Sequence, residues 1–523
     1  MVDILPNSFS VHGDQELEPP AESPEIEKLG VDDMLQKYCG EFGSWQLRHF
    51  LLTCLAWALE SIHTTVMIFA DRQPGWRCLD GGSGRGCSPD AHSVCDLRPG
   101  SWEWIHGKGS STVAEWGLVC GERYKVGLVQ SLFFVGCMIG AGVFGHLSDS
   151  KLGRKGSLAV ICLLNAVFGN LTALSPHYWT YVLFRILTGF STGGVGVCAF
   201  VLATEPIGPN KRTVAGMSTF YFYSAGIAIL SGIAYIFPSW RALYIASSVP
   251  SILFILILPF INESPRWYLV RGKTKQAMKI MQQIAKSNRK HLPGSVLLVL
   301  DEEVDVNMTP NEAEGEPRKP ITGSVIDILR SPVARFRLFL TMTIYFTVTV
   351  VYYGLTLNVV NLKTNLYLNV FLNAISEMPA FILTIVLLDK FGRKRLAIGT
   401  QFFSGLFCII GSLLKSHGEW KVVRMVCGIL GVFGMAGTYN LLLIYSLELF
   451  PTVVRNAALG CAAQALHMGA IVAPFVVVLG GRVAFAVFGA CGILGGALAV
   501  YLPETLNRPL FDTLAAMERG ESV

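Results

Sequence analysis

The sequence predicts an all-α polytopic membrane protein, with twelve transmembrane helices arranged as two six-helix halves. Its 523 residues are 52% hydrophobic and only 15% charged, whereas about a quarter of the residues of a soluble domain are charged. Apolar stretches of about 20 residues follow one another along the chain, and each is long enough to cross a bilayer as a helix. Helices are the expected spanning elements because lipid offers no hydrogen-bond partners to open strands or loops.

Residues 1–49 are predicted to form a cytoplasmic N-terminal tail that ends in an amphipathic helix. The first 30 residues contain seven acidic residues and one basic residue, a composition typical of a disordered tail and unlike that of a cleavable signal peptide. From residue 31 to residue 49 the pattern becomes amphipathic, which predicts an interfacial helix that leads into the membrane.

The N-terminal six-helix half is predicted over residues 50–261, and its first span is followed by a long polar segment, 71–123. That segment holds four cysteines, which suggests two disulfides in an oxidising compartment. Their pairing cannot be deduced, and free thiols or a metal site are the alternatives. The cysteines are Cys78, Cys87, Cys95 and Cys120, and the spans lie near 50–70, 124–147, 157–175, 178–203, 213–236 and 241–261.

A cytoplasmic linker, 262–334, separates this half from a C-terminal half over 335–502. The linker begins as a basic amphipathic helix and continues as an acidic segment with Pro and Gly. Its basic residues place it in the cytoplasm by the positive-inside rule, and twelve spans then put both termini there, including the tail 503–523. The later spans lie near 335–356, 367–387, 396–414, 421–447, 457–479 and 483–502.

An internal repeat supports the division into two halves. The glycine-containing basic turn at 145–155 returns in shortened form at 389–395, and Asp389 lies 240 residues after Asp149. Arg185 and Arg424 recur at nearly the same offset, near the outer ends of their spans, where we expect them to snorkel or brace the structure. Two similar halves with a site between them are the plan of transporters that rock about a midplane site.

Several motifs carry a resemblance to the organic cation/carnitine transporter family of the major facilitator superfamily, in particular to its plant branch. The resemblance covers about 31–510 and implies the major facilitator fold. The most specific motif is the run SSTVAEWGLVC before the second span. The matching segments are 110–120, 145–155, 262–267, 448–456 and 503–505.

Glu60, Glu377 and His467 lie near the centres of their predicted spans, where ionisable groups are costly and usually face a cavity. Two carboxylates without a Lys or Arg at the same depth favour a cationic ligand. The resemblance places a family glutamate at Glu377 and a family aromatic at Tyr352, and its neighbour Tyr353 is a further candidate for cation–π contact. The family has Asp or Arg where this chain has His467, so that position leaves the substrate charge open.

Each of these residues also has a structural interpretation. Glu60 can be a protonated core carboxylate, or it can carry protons together with His63 one turn later. Glu377 can brace the kink at Pro379, and the two tyrosines can simply pack in the membrane.

Charged residues at the cytoplasmic ends of the spans are predicted to form latches between the two halves that break when the inner gate opens. Passive topology marking is the alternative, but carboxylates at buried helix ends need specific partners. The predicted latch residues are Asp149, Arg154, Glu205, Arg212, Asp389, Arg393, Glu448 and Arg455.

The sequence predicts a transporter of small organic cations or zwitterions, such as carnitine, choline-like compounds or polyamines, working by alternating access. H⁺ or Na⁺ is a possible coupling ion, and the vacuolar and plasma membranes are both open. A sugar porter, an organic-anion porter and a non-transporting receptor or scaffold are the alternatives. No enzyme activity, cofactor, metal or nucleic-acid partner is expected, because no nucleophile elbow, zinc motif or phosphate loop is present.

Overall fold

The computed structural model describes residues 27–79, 94–98, 100–150, 152–299, 324–362, 364–415, 418–508, 511 and 513–521. Within them, twelve helices are long and apolar enough to cross a membrane, as the sequence predicts. We number them spans 1 to 12. Their bounds are Ser44–Ala70, Cys120–Asp149, Gly153–Ala173, Tyr178–Thr204, Pro209–Ile236, Trp240–Phe260, Pro332–Asn361, Leu366–Phe391, Arg393–Leu413, Trp420–Leu449, Arg455–Val478 and Gly481–Ala499.

The bundle has two distinct ends. We call the end that carries the described N-terminal and C-terminal segments the termini end, and the end that carries the described residues of the segment 71–123 the loop end. At the loop end, Trp76–Cys78 pairs antiparallel with Trp102–Trp104, and a short helix, Thr112–Trp116, precedes span 2. Cys95 is bonded to Cys120, Cys78 is also disulfide-bonded, and Cys87 lies outside the described residues.

A small subdomain covers part of the termini end. The helix Val31–Met34 continues as a π-helix, Leu35–Cys39, and packs on the linker helix Thr274–Ser287. The strand Glu27–Leu29 pairs in parallel with Val296–Leu298. Three shorter helices at this end are Pro265–Val270, Val325–Arg330 and Leu514–Glu521.

The predicted interfacial helix over 31–49 is shorter in the structure. It ends at Cys39, because Gly40 has a positive φ of 85°, and residues 44–49 belong to span 1. The linker does begin with the predicted basic amphipathic helix. Its apolar face, which includes Ile280 and Ile284, is buried against the N-terminal segment of the same chain. That face is therefore already covered within this protein.

The two related turns are built in the same way. Gly153 and Gly392 have φ angles of 78° and 83°, which glycine adopts without the strain of a side chain. A Cβ atom at Gly153 would lie 2.4 Å from Glu263, and one at Gly392 would lie 2.5 Å from Glu504. These carboxylates accept hydrogen bonds from the first backbone N–H groups of spans 3 and 9, where the helix dipole favours a negative charge.

Spans 2 and 4 approach each other so closely that glycines line their contact. A Cβ atom at Gly140 would lie 1.8 Å from the carbonyl oxygen of Phe190, and one at Gly193 would lie 2.1 Å from that of Cys137. Small residues let helix backbones approach in membranes, where packing takes the place of the hydrophobic effect as the driving force.

We predict that Gly140→Ala destabilises the bundle by about 2 kcal/mol, because the new methyl group overlaps backbone that cannot move without separating spans 2 and 4. Gly142→Ala is the matched control, since the space beside Gly142 on the same helix is open. Thermal unfolding of the two purified variants in one detergent checks the prediction. Equal melting temperatures for both variants would contradict it.

A second prediction concerns Asp32, which forms ion pairs with Arg212 at the start of span 5 and with Arg266 after span 6. Burial opposes ionisation of Asp32, but the hydrogen bonds from the two arginines outweigh it, so its pKa lies below the ordinary value. The stabilisation is therefore present at neutral pH and is lost as the pH falls below about 3.9, the ordinary Asp value.

Asp32→Asn should loosen the N-terminal segment and raise its amide hydrogen exchange about five-fold at neutral pH, equivalent to about 1 kcal/mol. The exposed neighbour Asp33 provides the control variant Asp33→Asn. Exchange measured by mass spectrometry over 31–39 should separate the two. Similar exchange in both would mean that apolar packing alone holds the segment.

Candidate functional site

A small cavity lies between the two halves near the middle of the bundle. Its volume is about 30 Å³, comparable to the space of one water molecule in the liquid. A bound organic molecule would therefore require the surrounding side chains or the two halves to move apart. The lining residues are Trp57, Glu60, Phe220 and Tyr223 from the N-terminal half and Tyr352, Tyr353, Phe381, Ala436 and Tyr439 from the C-terminal half.

Glu60 is the charged residue of this lining. It lies on span 1, and its Oε2 atom is buried without a hydrogen-bond partner among the described residues. The carboxylate packs against Gly196 of span 4, where a Cβ atom would lie 2.9 Å from Oε2. Glycine at position 196 therefore leaves the room that this side chain occupies.

Aromatic rings form most of the remaining wall. Trp57, one helical turn before Glu60, lies 5.4 Å from Phe220 between ring centroids. Across the cavity, Tyr352 lies 5.3 Å from Tyr353 and 5.5 Å from Tyr439. Each ring carries negative charge density on its faces, so such a wall attracts cations by cation–π interaction.

Glu377 lies beside this cavity and outside its lining. It is buried in span 8, and both of its oxygens accept hydrogen bonds. Tyr352 Oη donates to Oε1 at 3.0 Å, and Ser224 Oγ donates to Oε2. Glu377 thus joins span 5 of one half to spans 7 and 8 of the other, and it orients Tyr352, which does line the cavity.

Of the other predicted binding residues, the two tyrosines line the cavity and the histidine does not. Tyr352 and Tyr353 both belong to the lining, and the Tyr353 hydroxyl lies 3.5 Å from that of Tyr223 across the two halves. His467 lies on span 11 and is not among the lining residues. A histidine there does not contact the cavity in this conformation.

The predicted latch residues form clusters inside each half, which differs from the expected contacts between halves. Arg154 contacts Glu205 at 3.3 Å and Asp149 at 3.0 Å. In the second half, the Arg393 guanidinium contacts both oxygens of Glu448 at 2.9 Å and Asp389 at 3.8 Å.

The two remaining latch residues bond to different parts of the chain, Arg212 to the N-terminal segment and Arg455 within the C-terminal half. Arg212 pairs with Asp32, and Arg455 Nε donates to the carbonyl oxygen of Phe450 at 3.3 Å. Arg212 and Arg455 lie at the starts of spans 5 and 11. Glu205 and Glu448, which precede them in the chain, are instead paired with Arg154 and Arg393.

Hydrogen bonds join the two halves at the loop end. Arg72 Nη1 donates to Tyr367 Oη at 2.7 Å, and Arg123 Nη2 donates to Asn361 Oδ1 at 3.2 Å. A larger cavity of about 1530 Å³ lies among these residues. At the termini end the halves meet through apolar side chains, as where Met217 of span 5 packs against the second half.

Arg185 and Arg424 do not snorkel to the surface. Both side chains are buried. The Arg185 guanidinium lies 4.2 Å from the Phe133 ring centroid, and that of Arg424 lies 5.1 Å from the Phe485 ring centroid. Stacking on a ring lets the planar, weakly hydrated guanidinium be buried where an ammonium group would not be.

The site includes residues that the sequence prediction missed. Trp57 could have been found from its position three residues before Glu60 on the same helical face. Phe220 and Tyr439 had no local signal. Among the described residues, no group of three or more His, Cys, Asp or Glu side chains is arranged to hold a metal ion.

Comparison with known proteins agrees with this architecture. A family model described as "Sugar (and other) transporter" matches residues 106–515. The inward-open xylose transporter XylE from E. coli superposes with a TM-score of 0.62 at 16% identity, covering 89% of this chain and 98% of that one. At this level of identity the likeness shows the fold, which is that of the major facilitator superfamily.

Curated relatives narrow the assignment. Arabidopsis organic cation/carnitine transporter 4 is 66% identical over 497 residues, which are 95% of this chain and 92% of the relative. Arabidopsis organic cation/carnitine transporter 2 is 34% identical, with coverage of 92% and 93%. A Drosophila organic cation transporter protein is 31% identical, with coverage of 94% and 95%. This multi-pass membrane protein is a transporter, not an enzyme, and it belongs to the plant-type branch of the organic cation/carnitine transporter family of the major facilitator superfamily.

Proposed function

We propose that the protein transports small organic cations, including zwitterions with a cationic ammonium group, through the cavity that Glu60 lines. The observation that carries this proposal is the buried Oε2 atom of Glu60, which has no hydrogen-bond partner among the described residues. An uncompensated carboxylate in a low-dielectric cavity is costly and attracts a positive charge.

The aromatic wall favours a particular kind of cation. An alkylated ammonium group offers a charge spread over methyl and methylene surface, which suits the faces of Trp57, Tyr352 and Tyr439. Each cation–π contact contributes about 0.5–2 kcal/mol, and the acid supplies Coulomb attraction. Carnitine and choline-like compounds carry quaternary ammonium groups of this kind, and polyamines carry primary and secondary ammonium groups on methylene chains. The names of the curated relatives point to organic cations as a class.

Transport proceeds by alternating access in this proposal. The cavity takes side chains from both halves, so a rocking motion that separates them at one end opens it toward that end. The ion clusters around Arg154 and Arg393 keep each half rigid during this motion, and Arg72 and Arg123 close the loop end. The termini end faces the cytoplasm, because the basic turns at 145–155 and 389–395 lie there.

The driving force follows from the charge of the substrate. Moving one positive charge across a membrane potential of 100 mV changes its free energy by about 2.3 kcal/mol. For a substrate with a net positive charge, the potential alone therefore supports uptake into a negative compartment. A zwitterion such as carnitine has no net charge, so it only equilibrates unless its transport is coupled to an ion, for which H⁺ and Na⁺ are the candidates. The plasma membrane and the vacuolar membrane are the candidate locations.

We predict that Glu60→Gln lowers uptake of tetraethylammonium and carnitine at least about 100-fold in kcat/KM, because it removes the charge that the cation needs. Glu377→Gln is the matched comparison, since it is also a buried midplane carboxylate. An amide oxygen at position 377 still accepts from Tyr352 or Ser224, so that variant should keep most of its uptake. Radiolabelled uptake into proteoliposomes with an inside-negative potential checks both.

The outcomes separate the rival functions. Uptake that is lost only in Glu60→Gln supports the cation site. Loss in Glu377→Gln alone would move the site to span 8. A folded wild-type protein that takes up neither compound contradicts the proposal, and uptake of sugars or organic anions, or binding without uptake, would then identify the alternative. Repeating the assay with a pH or Na⁺ gradient identifies the coupling ion.

A further prediction tests the aromatic wall. Trp57→Leu should weaken tetraethylammonium binding by about 2–30-fold, and Trp57→Phe should fall between Leu and wild type, because cation–π attraction is strongest on Trp. Trp179→Leu, on the exposed surface of span 4, controls for loss of a large aromatic residue. Equilibrium binding of the labelled cation measures the order. No difference between Leu and Phe at position 57 would contradict a cation–π role.

A further inference from the structure

A second groove lies on the outside of the C-terminal half, between spans 8, 9 and 10. Its volume is about 290 Å³. It runs from the level of Ala380 and Gly437 near the middle of the bundle to Phe391 and Arg395 at the termini end. Leu383, together with Phe391, is strongly exposed in the isolated protein, and in a membrane these side chains face lipid.

Small residues keep the groove open. A Cβ atom at Gly399 of span 9 would meet no atom within 4 Å, so the space beside it is unfilled. On either side the helices are in contact. A Cβ atom at Gly437 would lie 2.8 Å from Thr384 Oγ1, and one at Gly434 would lie 2.9 Å from the carbonyl oxygen of Thr400. The groove is thus closed on both sides by contacts between helices, and its walls are apolar over most of its length.

The groove ends in a positive charge. Arg395 lines its termini end and is exposed, close to the start of span 9. Arg395 is the charged residue of the lining. An apolar slot within the membrane, with one cation at the level of the headgroups, fits a molecule with a long apolar tail and an anionic head.

We propose that this groove binds an anionic glycerophospholipid from the leaflet at the termini end. One acyl chain lies along Leu383, Gly399 and Phe403, and the phosphate contacts Arg395. A sterol would fill the apolar part but would not use the arginine. A soluble partner would not reach the part of the groove that is within the membrane. Anionic lipids are enriched in cytoplasmic leaflets, and each basic side chain near the surface contributes about 1 kcal/mol.

The position of the groove connects lipid binding to transport. Ala380 and Gly437 line the groove, whereas their chain neighbours Phe381 and Ala436 line the cavity that contains Glu60. The same two helices therefore separate the lipid from the cavity. An acyl chain in the groove supports the back of the aromatic wall, and an empty groove leaves spans 8 and 10 less constrained.

The test is competition between phosphatidylglycerol and phosphatidylcholine with identical acyl chains, in photoactivatable form, for the purified full-length protein. We expect wild type to be labelled on peptides of spans 8 to 10 about five-fold more by phosphatidylglycerol, which corresponds to about 1 kcal/mol. Arg395→Gln should remove this preference while leaving labelling by phosphatidylcholine. Gly399→Leu, which fills the groove, should reduce labelling by both lipids.

Two control variants test whether losing any basic residue, or adding a leucine at any open glycine, changes the lipid labelling. Lys390→Gln removes a basic residue at the same end that does not line the groove, and it should keep the preference. Gly460→Leu adds the same side chain at an open glycine of span 11, and it should leave labelling unchanged. Equal labelling by the two lipids in wild type, or an unchanged preference in Arg395→Gln, overturns the proposal. So does a sterol that displaces both lipids regardless of headgroup.

Discussion

The cost of burying a charge in a low-dielectric interior governs this structure. Each carboxylate inside the bundle must be given donors or cations by its surroundings, since the lipid around the bundle offers none. Glu377 receives two hydroxyl donors, and Glu448 receives the guanidinium of Arg393. Glu60 keeps one oxygen without a partner among the described residues. We therefore expect a ligand to supply the missing partner, and the aromatic rings around the cavity favour a cation that carries alkyl groups.

The same constraint explains why the two halves are alike at their ends and different at their centre. Glu263 and Glu504 both accept from the first N–H groups of a span, and a glycine with positive φ makes room for each. In both halves, these contacts allow one membrane helix to end and the next to start within a few residues. The cavity has no such symmetry. The N-terminal half contributes Glu60, and the C-terminal half contributes Tyr352, Tyr353 and Tyr439.

Much of the fold could be predicted from the sequence, because spans, turns and an internal repeat are local or periodic features. The twelve spans depend on the length and composition of the apolar stretches alone. The site depends on how each helix is rotated and on how the halves meet, and a single sequence does not encode this in any spacing. Tyr352 and Tyr353 were predicted, whereas Phe220 and Tyr439 reach the cavity only through tertiary packing. Arg154 and Glu205 were expected to bridge the halves, but the nearest partner lay in the same half.

The composition of the cavity links binding to motion. In the proposed mechanism, a cation between Glu60 and Tyr439 would contact the first half through a charge and the second through ring faces, and it would attract both halves toward itself. With nothing bound, the space of about 30 Å³ is too small for such a molecule, and the halves must separate at one end to admit it. Binding energy is then gained as the halves close again around the cation. A ligand that satisfies only one half, by charge without alkyl surface or by alkyl surface without charge, lacks part of this attraction. In this proposal, selectivity and closure therefore depend on the same contacts.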